Sequence, residues 1–179
     1  HRGVINALLR RNPQLLTTSL KTLLRTPALV DFDVKRAHIQ LKLKKEKEKY
    51  VSRGTSKLKI RRSHLLQDSY HQLQARTREE MKGRMQIVFA GEEGIDAGGL
   101  TREWYQILAR EIFNPDWGLF QLAPSGEACY EPNKHSSINP EHLSYFRFVG
   151  RLIGKALYDG VLLDAYFTRP IYKLSLIHI

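Results

Sequence analysis

Apolar residues recur at helical spacing through the first third of the chain. The first stripe consists of Val4, Ile5, Leu8 and Leu9, and it predicts a helix that ends at Asn12-Pro13. A second apolar stripe consists of Leu16, Leu20, Leu23 and Leu24. Pro27 ends it, because proline lacks the amide proton that a helix needs. A third helix is predicted from about Asp33 into the lysine-rich run 42–50, and Gly54 then marks a break at 52–56.

The pattern changes after residue 62. Leu66, Tyr70 and Leu73 lie on one helical face, which predicts a helix packed against a core. Thr77 and Glu80 form the T-x-x-E capping box that marks a new helix start. The next apolar residues alternate with more polar ones, as in a short strand; they are Met85, Ile87 and Phe89.

Two longer helices complete the pattern. The first has one buried face and ends at Asn114-Pro115; that face consists of Leu100, Trp104, Ile107, Leu108 and Ile112. The second is predicted to begin with Asn139 as N-cap and Pro140 at the first helical position, and to end at Gly160 in a left-handed cap. It is apolar on more than one side, which indicates burial. Gly150 and Gly154 are expected to permit close packing with a neighbour. The fold class predicted is α+β, mainly α.

Charge divides the chain more sharply than hydropathy does. The net charge is +11, and residues 1–62 hold 17 Lys and Arg against 4 acids, whereas residues 63–179 hold 12 against 14. The two balances, +13 and −2, sum to that net charge. We therefore predict a basic helical extension at 1–62 and a separate domain at 63–173. A solvated charged face is the usual explanation for such a basic run, and nucleic-acid binding is the alternative, although no aromatic residues interleave the lysines of 42–49.

Metal, disulfide and membrane functions find little support in the sequence. Cys129 is the only cysteine, so no internal disulfide or cysteine zinc site is predicted. His135, His142 and His178 lack metal-ligand spacing, and His142 is expected to be a structural hydrogen-bonder. No apolar run reaches the roughly 18 residues of a membrane span, and no cofactor motif is present. The first residue is not methionine, and the chain is expected to be an internal fragment.

Several short motifs follow one another in a distinctive order between about residue 77 and residue 173. They are GxDxGGxxREW (Gly94, Asp96, Gly98, Gly99, Arg102, Glu103, Trp104), FNP (113–115), HLSYFRFVGR (142–151) and FTRPIYK (167–173). Together they resemble the N-terminal lobe of HECT-type E3 ubiquitin-protein ligases. The similarity is greatest to the giant subgroup that carries UBA and WWE domains, and to its fungal relatives. The residues FDVKR (32–36) and DSY (68–70) also resemble the region that leads into their HECT domain.

The resemblance implies an enzyme that receives ubiquitin from an E2 as a cysteine thioester and transfers it to a substrate lysine, in the cytoplasm, the nucleus or both. It also implies that the nucleophilic cysteine lies outside this fragment, so that no residue here is catalytic. Non-covalent ubiquitin binding is expected at Leu122, Tyr130 and Phe148 by their position. Asp96, Gly98, Gly99, Arg102, Glu103 and Trp104 are expected to have architectural roles. The last six residues, 174–179, depart from the family pattern and are expected to be a non-native tail.

Overall fold

The computed structural model describes residues 1–50, 54–92, 98–124 and 128–177, with side chains as far as Lys173. The α-helices are α1 (Arg2–Arg11), α2 (Phe32–Glu48), α3 (Leu65–Gln74), α4 (Arg78–Lys82), α5 (Gly99–Ile112), α6 (His142–Asp159) and α7 (Arg169–Ile177). The strands are β1 (Ser56–Ile60), β2 (Met85–Phe89), β3 (Phe120–Leu122) and β4 (Tyr130–Pro132). The prediction of a mainly α fold with a small β component is confirmed.

The chain divides into two compact units, His1–Ser52 and Arg53–Ile179. The sequence-based boundary after residue 62 falls inside the second unit, because β1 pairs in parallel with β2 from Ser56↔Met85 to Ile60↔Phe89. The alternation of Leu58 and Ile60 with lysines is the signal for β1 that the sequence analysis missed. Both of these apolar residues are fully buried.

The first unit has a small core of its own. That core consists of Leu9, Leu16, Val30 and Val34. Buried Asn6 ties its segments together: its side chain donates to the Leu29 carbonyl at 3.0 Å and accepts from the Asp31 amide at 2.8 Å. The predicted second leucine stripe does not form a regular α-helix; it is split into the 3-10 turns Pro13–Thr17 and Lys21–Arg25, and only Leu16 of its four leucines is buried. That part of the prediction was wrong, because too few neighbours surround the stripe to bury a continuous face.

The core of the second unit lies where the β1–β2 pair meets α3, α5 and α6. Its largest fully buried side chains include Trp104, Tyr105 and Phe89. The predicted capping box is present, with Thr77 accepting from the Glu80 amide and Glu80 accepting from the Thr77 amide. The alternation in β2 is also confirmed, since its first, third and fifth residues are buried.

Helix α6 differs from its prediction in three ways. It begins at His142, and Asn139 instead accepts a hydrogen bond from the Glu141 amide at 3.0 Å, so the predicted start at Asn139-Pro140 was wrong. One face is buried, but Leu143 is 70% exposed and Leu157 62% exposed. Gly150 and Gly154 do not serve close packing, because a Cβ added at either would meet no atom within 4 Å in the part of the chain that the structure describes. The end of the helix is as predicted, with Gly160 at φ 79°.

Candidate functional site

The surface predicted to contact ubiquitin centres on an antiparallel hairpin. Leu122 of β3 pairs directly with Tyr130 of β4. The Leu122 side chain is 60% exposed, whereas Tyr130 is half-buried and stacks on Phe113, with ring centroids 4.1 Å apart. Two of the three predicted contact residues are therefore neighbours at the protein surface. Leu122 is an accessible apolar group, and Tyr130 shares its ring between this surface and the core.

A third segment extends the hairpin. Phe167 lies in a parallel bridge with Tyr130. The Tyr130 amide donates to the Tyr166 carbonyl at 2.7 Å, and the Thr168 amide donates to the Tyr130 carbonyl at 3.0 Å. This pairing brings Tyr166, which is 60% exposed, to the hairpin edge. Sequence reasoning used the FTRPIYK motif only for recognition; its aromatic residues were the available signal that this segment adds to the surface.

Phe148 does not belong to this surface. It is 2% exposed and contacts Tyr70 edge-to-face, with ring centroids 5.8 Å apart. The sequence-based assignment of Phe148 as a contact residue is corrected here, since a buried ring offers no area to a partner. Helical periodicity placed Phe148 on α6 but could not show which side of α6 the core covers.

The double-glycine motif shapes the start of α5. Gly98 has φ 104°, a left-handed conformation that side chains other than glycine rarely adopt, and it is the N-cap of α5. Its carbonyl accepts from the Arg102 amide at 3.3 Å, and Gly99 begins the helix. Asp96, together with Gly94, lies outside the described residues. The glycines thus support a sharp entry into α5, which is the architectural role expected of them.

Glu103 joins α5 to the end of β1 through an exposed ion-pair network. It accepts from Arg62 Nη1 at 2.7 Å, and Arg62 also pairs with both carboxylate oxygens of Glu92. The guanidinium lies over the Phe89 ring, 4.0 Å from its centroid. The hydrogen bond from Arg62 lowers the pKa of Glu92, and the carboxylates of Glu92 and Glu103 raise the pKa of Arg62. Bonds of this kind fix loops and helices, so Glu103 also has architectural contacts.

Trp104 anchors the same helix from inside. Its side chain is fully buried, and its indole Nε1 donates to the Ser69 hydroxyl of α3 at 2.9 Å. Tyr105 beside it donates to Asp159 at 3.1 Å, and burial, followed by the Asp159 charge, raises the pKa of that phenol. The REW part of the motif therefore links α5 to α3 through Trp104 and to the end of α6 through Tyr105.

The remaining reactive side chains form no obvious chemical centre. Cys129 is half-buried at the hairpin, where its carbonyl accepts from the Ala123 amide at 2.8 Å. His142 Nδ1 lies 3.1 Å from the Ser136 hydroxyl, the structural hydrogen bond that was predicted. Within the described residues, no group of three or more His, Cys, Asp or Glu could hold a metal ion. None of the described helices is both long and apolar enough to cross a membrane.

Comparison with known proteins gives this geometry a family context. Residues 106–178 match the HECT-domain (ubiquitin-transferase) family. The chain is 48% identical over 173 residues to the E3 ubiquitin-protein ligase UPL1 of Arabidopsis thaliana, covering 97% of this chain and 5% of that protein. It is 43% identical over 174 residues to TOM1 of Saccharomyces cerevisiae and 45% identical over 174 residues to HUWE1 of Mus musculus, covering 97% of this chain and 5% and 4% of those ligases. The chain thus spans about a twentieth of the length of the curated relatives it matches.

Proposed function

The chain belongs to the HECT-domain ubiquitin-transferase family, and from this membership we propose that it forms part of an E3 ubiquitin-protein ligase. The observation that carries the proposal is identity of 43–48% to named ligases over 97% of the chain. The complete enzyme would accept ubiquitin from an E2 on a cysteine thiolate and pass it to a substrate lysine, so that one difficult transfer becomes two easier ones. Its partners would be an E2, ubiquitin and protein substrates, in the cytoplasm, the nucleus or both.

Cys129 is not the nucleophile in this proposal. A reactive thiolate needs a lowered pKa from a nearby cation, a helix N-terminus or a metal. Cys129 lies in the hairpin, where it directly precedes Tyr130 and its carbonyl pairs with the Ala123 amide. The residues of this chain would then build the N-terminal lobe, and the thioester would form on a cysteine elsewhere in the enzyme.

The basic segment 1–62 has the same family relationship as the rest. The alignments extend over 97% of the chain, so they include most of this segment, and the matched relatives are named ubiquitin ligases. Nucleic-acid binding by residues 1–62 receives no support from these comparisons. We therefore retain the ligase as the single proposed function.

A retained ubiquitin-binding surface is the part of this proposal that the chain alone can test. Leu122 and Tyr130 are its anchors, and Tyr166 extends the same apolar patch. Tyrosine suits such a surface because it offers a broad apolar face with a polar tip. A patch with so few anchors should bind weakly, since affinity follows the quality of the anchors rather than the buried area.

A chemical-shift titration of labelled ubiquitin tests the surface. We expect shift changes with the wild-type chain that are lost with Leu122→Glu. Leu143→Glu is the matched control, because Leu143 is also an exposed leucine of the second unit but lies on α6. Tyr130→Ala is the less informative variant, because its ring also stacks on Phe113 and its loss would disturb the core. Equal shifts with both leucine variants would contradict the assignment.

A chimera tests the ligase role itself. Residues 54–173 would replace the matching segment of UPL1, and self-ubiquitination would be measured with E1, E2, ubiquitin and ATP. We expect a folded chimera to transfer ubiquitin. Trp104→Ala within the graft should abolish transfer, because the lobe loses its largest buried side chain. A folded chimera without transfer would argue against the proposed role.

A further inference from the structure

A basic groove lies between α4 and α6 in the second unit. Its volume is about 610 Å³. It is lined by cationic residues from both helices, among them Arg78 and Lys82 of α4 and Arg147 and Arg151 of α6. No acidic side chain lines it among the described residues. This concentration of positive charge is notable because residues 63–179 as a whole carry a balance of −2 by the count given above.

The cations of the groove differ in how far they are already neutralised. Lys155 is buried and donates to the Gly83 carbonyl at 2.9 Å and to Asp159 at 2.7 Å, so its charge is compensated inside the protein. Arg151 donates to the backbone carbonyls of Gln74 and Arg76, which fix its guanidinium without cancelling its charge.

The two outer arginines are available. Arg78 and Arg147 are exposed, and neither forms an ion pair within the part of the chain that the structure describes. They lie on opposite helices that border the same groove. Two uncompensated charges on facing walls, supported by a fixed third at Arg151, favour an anionic occupant.

The groove also contains apolar surface. Met81 is half-buried and packs against the core, and the half-buried ring of Tyr158 contributes a further wall. Gly154 leaves space between them, because a Cβ added there would meet nothing within 4 Å. The bare backbone of α6 is therefore accessible at this point, and an apolar side chain of a partner would fit against it.

We propose that the groove between α4 and α6 binds a short acidic peptide segment that carries an apolar side chain between its carboxylates. The carboxylates would pair with Arg78 and Arg147, and the apolar side chain would lie over Gly154 against Met81. The apolar surface favours a peptide over a nucleic acid, whose phosphates would satisfy the arginines but would leave Met81 unused. This inference concerns a binding surface and does not depend on ubiquitin transfer.

Fluorescence anisotropy on the whole chain tests the proposal. The probe is a labelled peptide with the sequence Glu-Asp-Glu-Leu-Glu-Asp-Glu. A second peptide with glycine in place of the central leucine measures the apolar contribution, and a labelled oligothymidylate tests the competing ligand class. We expect the acidic peptide to bind, and to weaken as salt rises, because exposed charges are screened.

Two kinds of variant separate groove binding from folding. Arg78→Glu and Arg147→Glu should each weaken peptide binding about tenfold, because like charges placed opposite each other repel. Lys134→Glu is the matched control, since Lys134 is also an exposed cation of the second unit but does not line the groove. Gly154→Leu fills the space for the apolar side chain while raising helix propensity, so it should reduce binding without loss of fold.

The possible outcomes decide the matter. Peptide binding that falls in the two arginine variants and in Gly154→Leu, but not in Lys134→Glu, supports the proposal. Absence of binding at millimolar peptide, or equal loss in all the charge variants, overturns it. Tighter binding of oligothymidylate than of the peptide, with the same arginine dependence, also overturns it and identifies a nucleic-acid surface.

Discussion

The hydrogen bond between Trp104 and Ser69 allows the packing of α5 on α3 to be tested quantitatively. Both residues are fully buried, and the indole Nε1 lies 2.9 Å from the Ser69 hydroxyl. Trp104→Ala would remove the largest buried side chain and should cost about 3–5 kcal/mol. A loss of that size approaches the whole stability of many domains, about 5–15 kcal/mol, so much of the fold could be lost. Smaller substitutions are therefore more informative.

Ser69→Ala and Trp104→Phe each remove one partner of this bond. Ser69→Ala leaves a buried indole N–H without an acceptor and should cost about 1–3 kcal/mol. Trp104→Phe should cost at least as much, because it also removes ring volume from the core. In the double variant both polar groups are gone, so its cost should fall below the sum of the two by about 0.5–3 kcal/mol.

Urea unfolding followed by tryptophan fluorescence measures these costs. The chain has two tryptophans, and both lie in the second unit, so the signal reports on that unit alone and Trp117 remains as the probe in Trp104→Phe. Trp117→Phe is the matched control, because its Nε1 donates to Glu111 at 2.8 Å from a half-buried position, where water can replace the lost partner. Costs that add within about 0.3–0.5 kcal/mol in the double variant would show that the two side chains are not coupled and would refute the reasoning.

Three further outcomes are expected. Incubated with E1, E2, ubiquitin and ATP, this chain should form no thioester with ubiquitin; a reducible adduct that disappears in Cys129→Ser would contradict this. Gly154→Ala should raise the free energy of unfolding by about 0.5–1 kcal/mol, because the new methyl group meets no neighbour within 4 Å and glycine weakens a helix; a decrease would mean that the site is more crowded. The hydrogen bond from Arg61 lowers the pKa of Asp68 from 3.8 to about 2, so the stability it contributes is present above about pH 4 and is lost as pH falls toward about 2. The difference in unfolding free energy between the wild type and Asp68→Asn should therefore shrink across that window, and a constant difference would exclude the ion pair as its cause.

Local patterns in the sequence were sufficient for much of the secondary structure. The capping box at Thr77 and the alternation in β2 both predicted elements that the structure contains. The apolar face of α5 was also predicted, and Trp104 on that face is buried. These features depend on residues within one or two turns of each other, so the chain encodes them without reference to distant partners. The order of the motifs likewise pointed to the HECT family before any fold was known.

Only the tertiary structure decided which surfaces are covered. Periodicity gave α6 several apolar stripes, yet Phe148 is buried and Leu143 is exposed, because the core lies on one side of the helix. Strand β1 was missed because its five residues acquire their hydrogen bonds from β2, which lies far along the chain. The basic groove likewise needs Arg78 and Arg147 from two helices that the sequence separates widely. Burial and charge clustering arise from neighbours distant in sequence, and a one-dimensional pattern does not specify those neighbours.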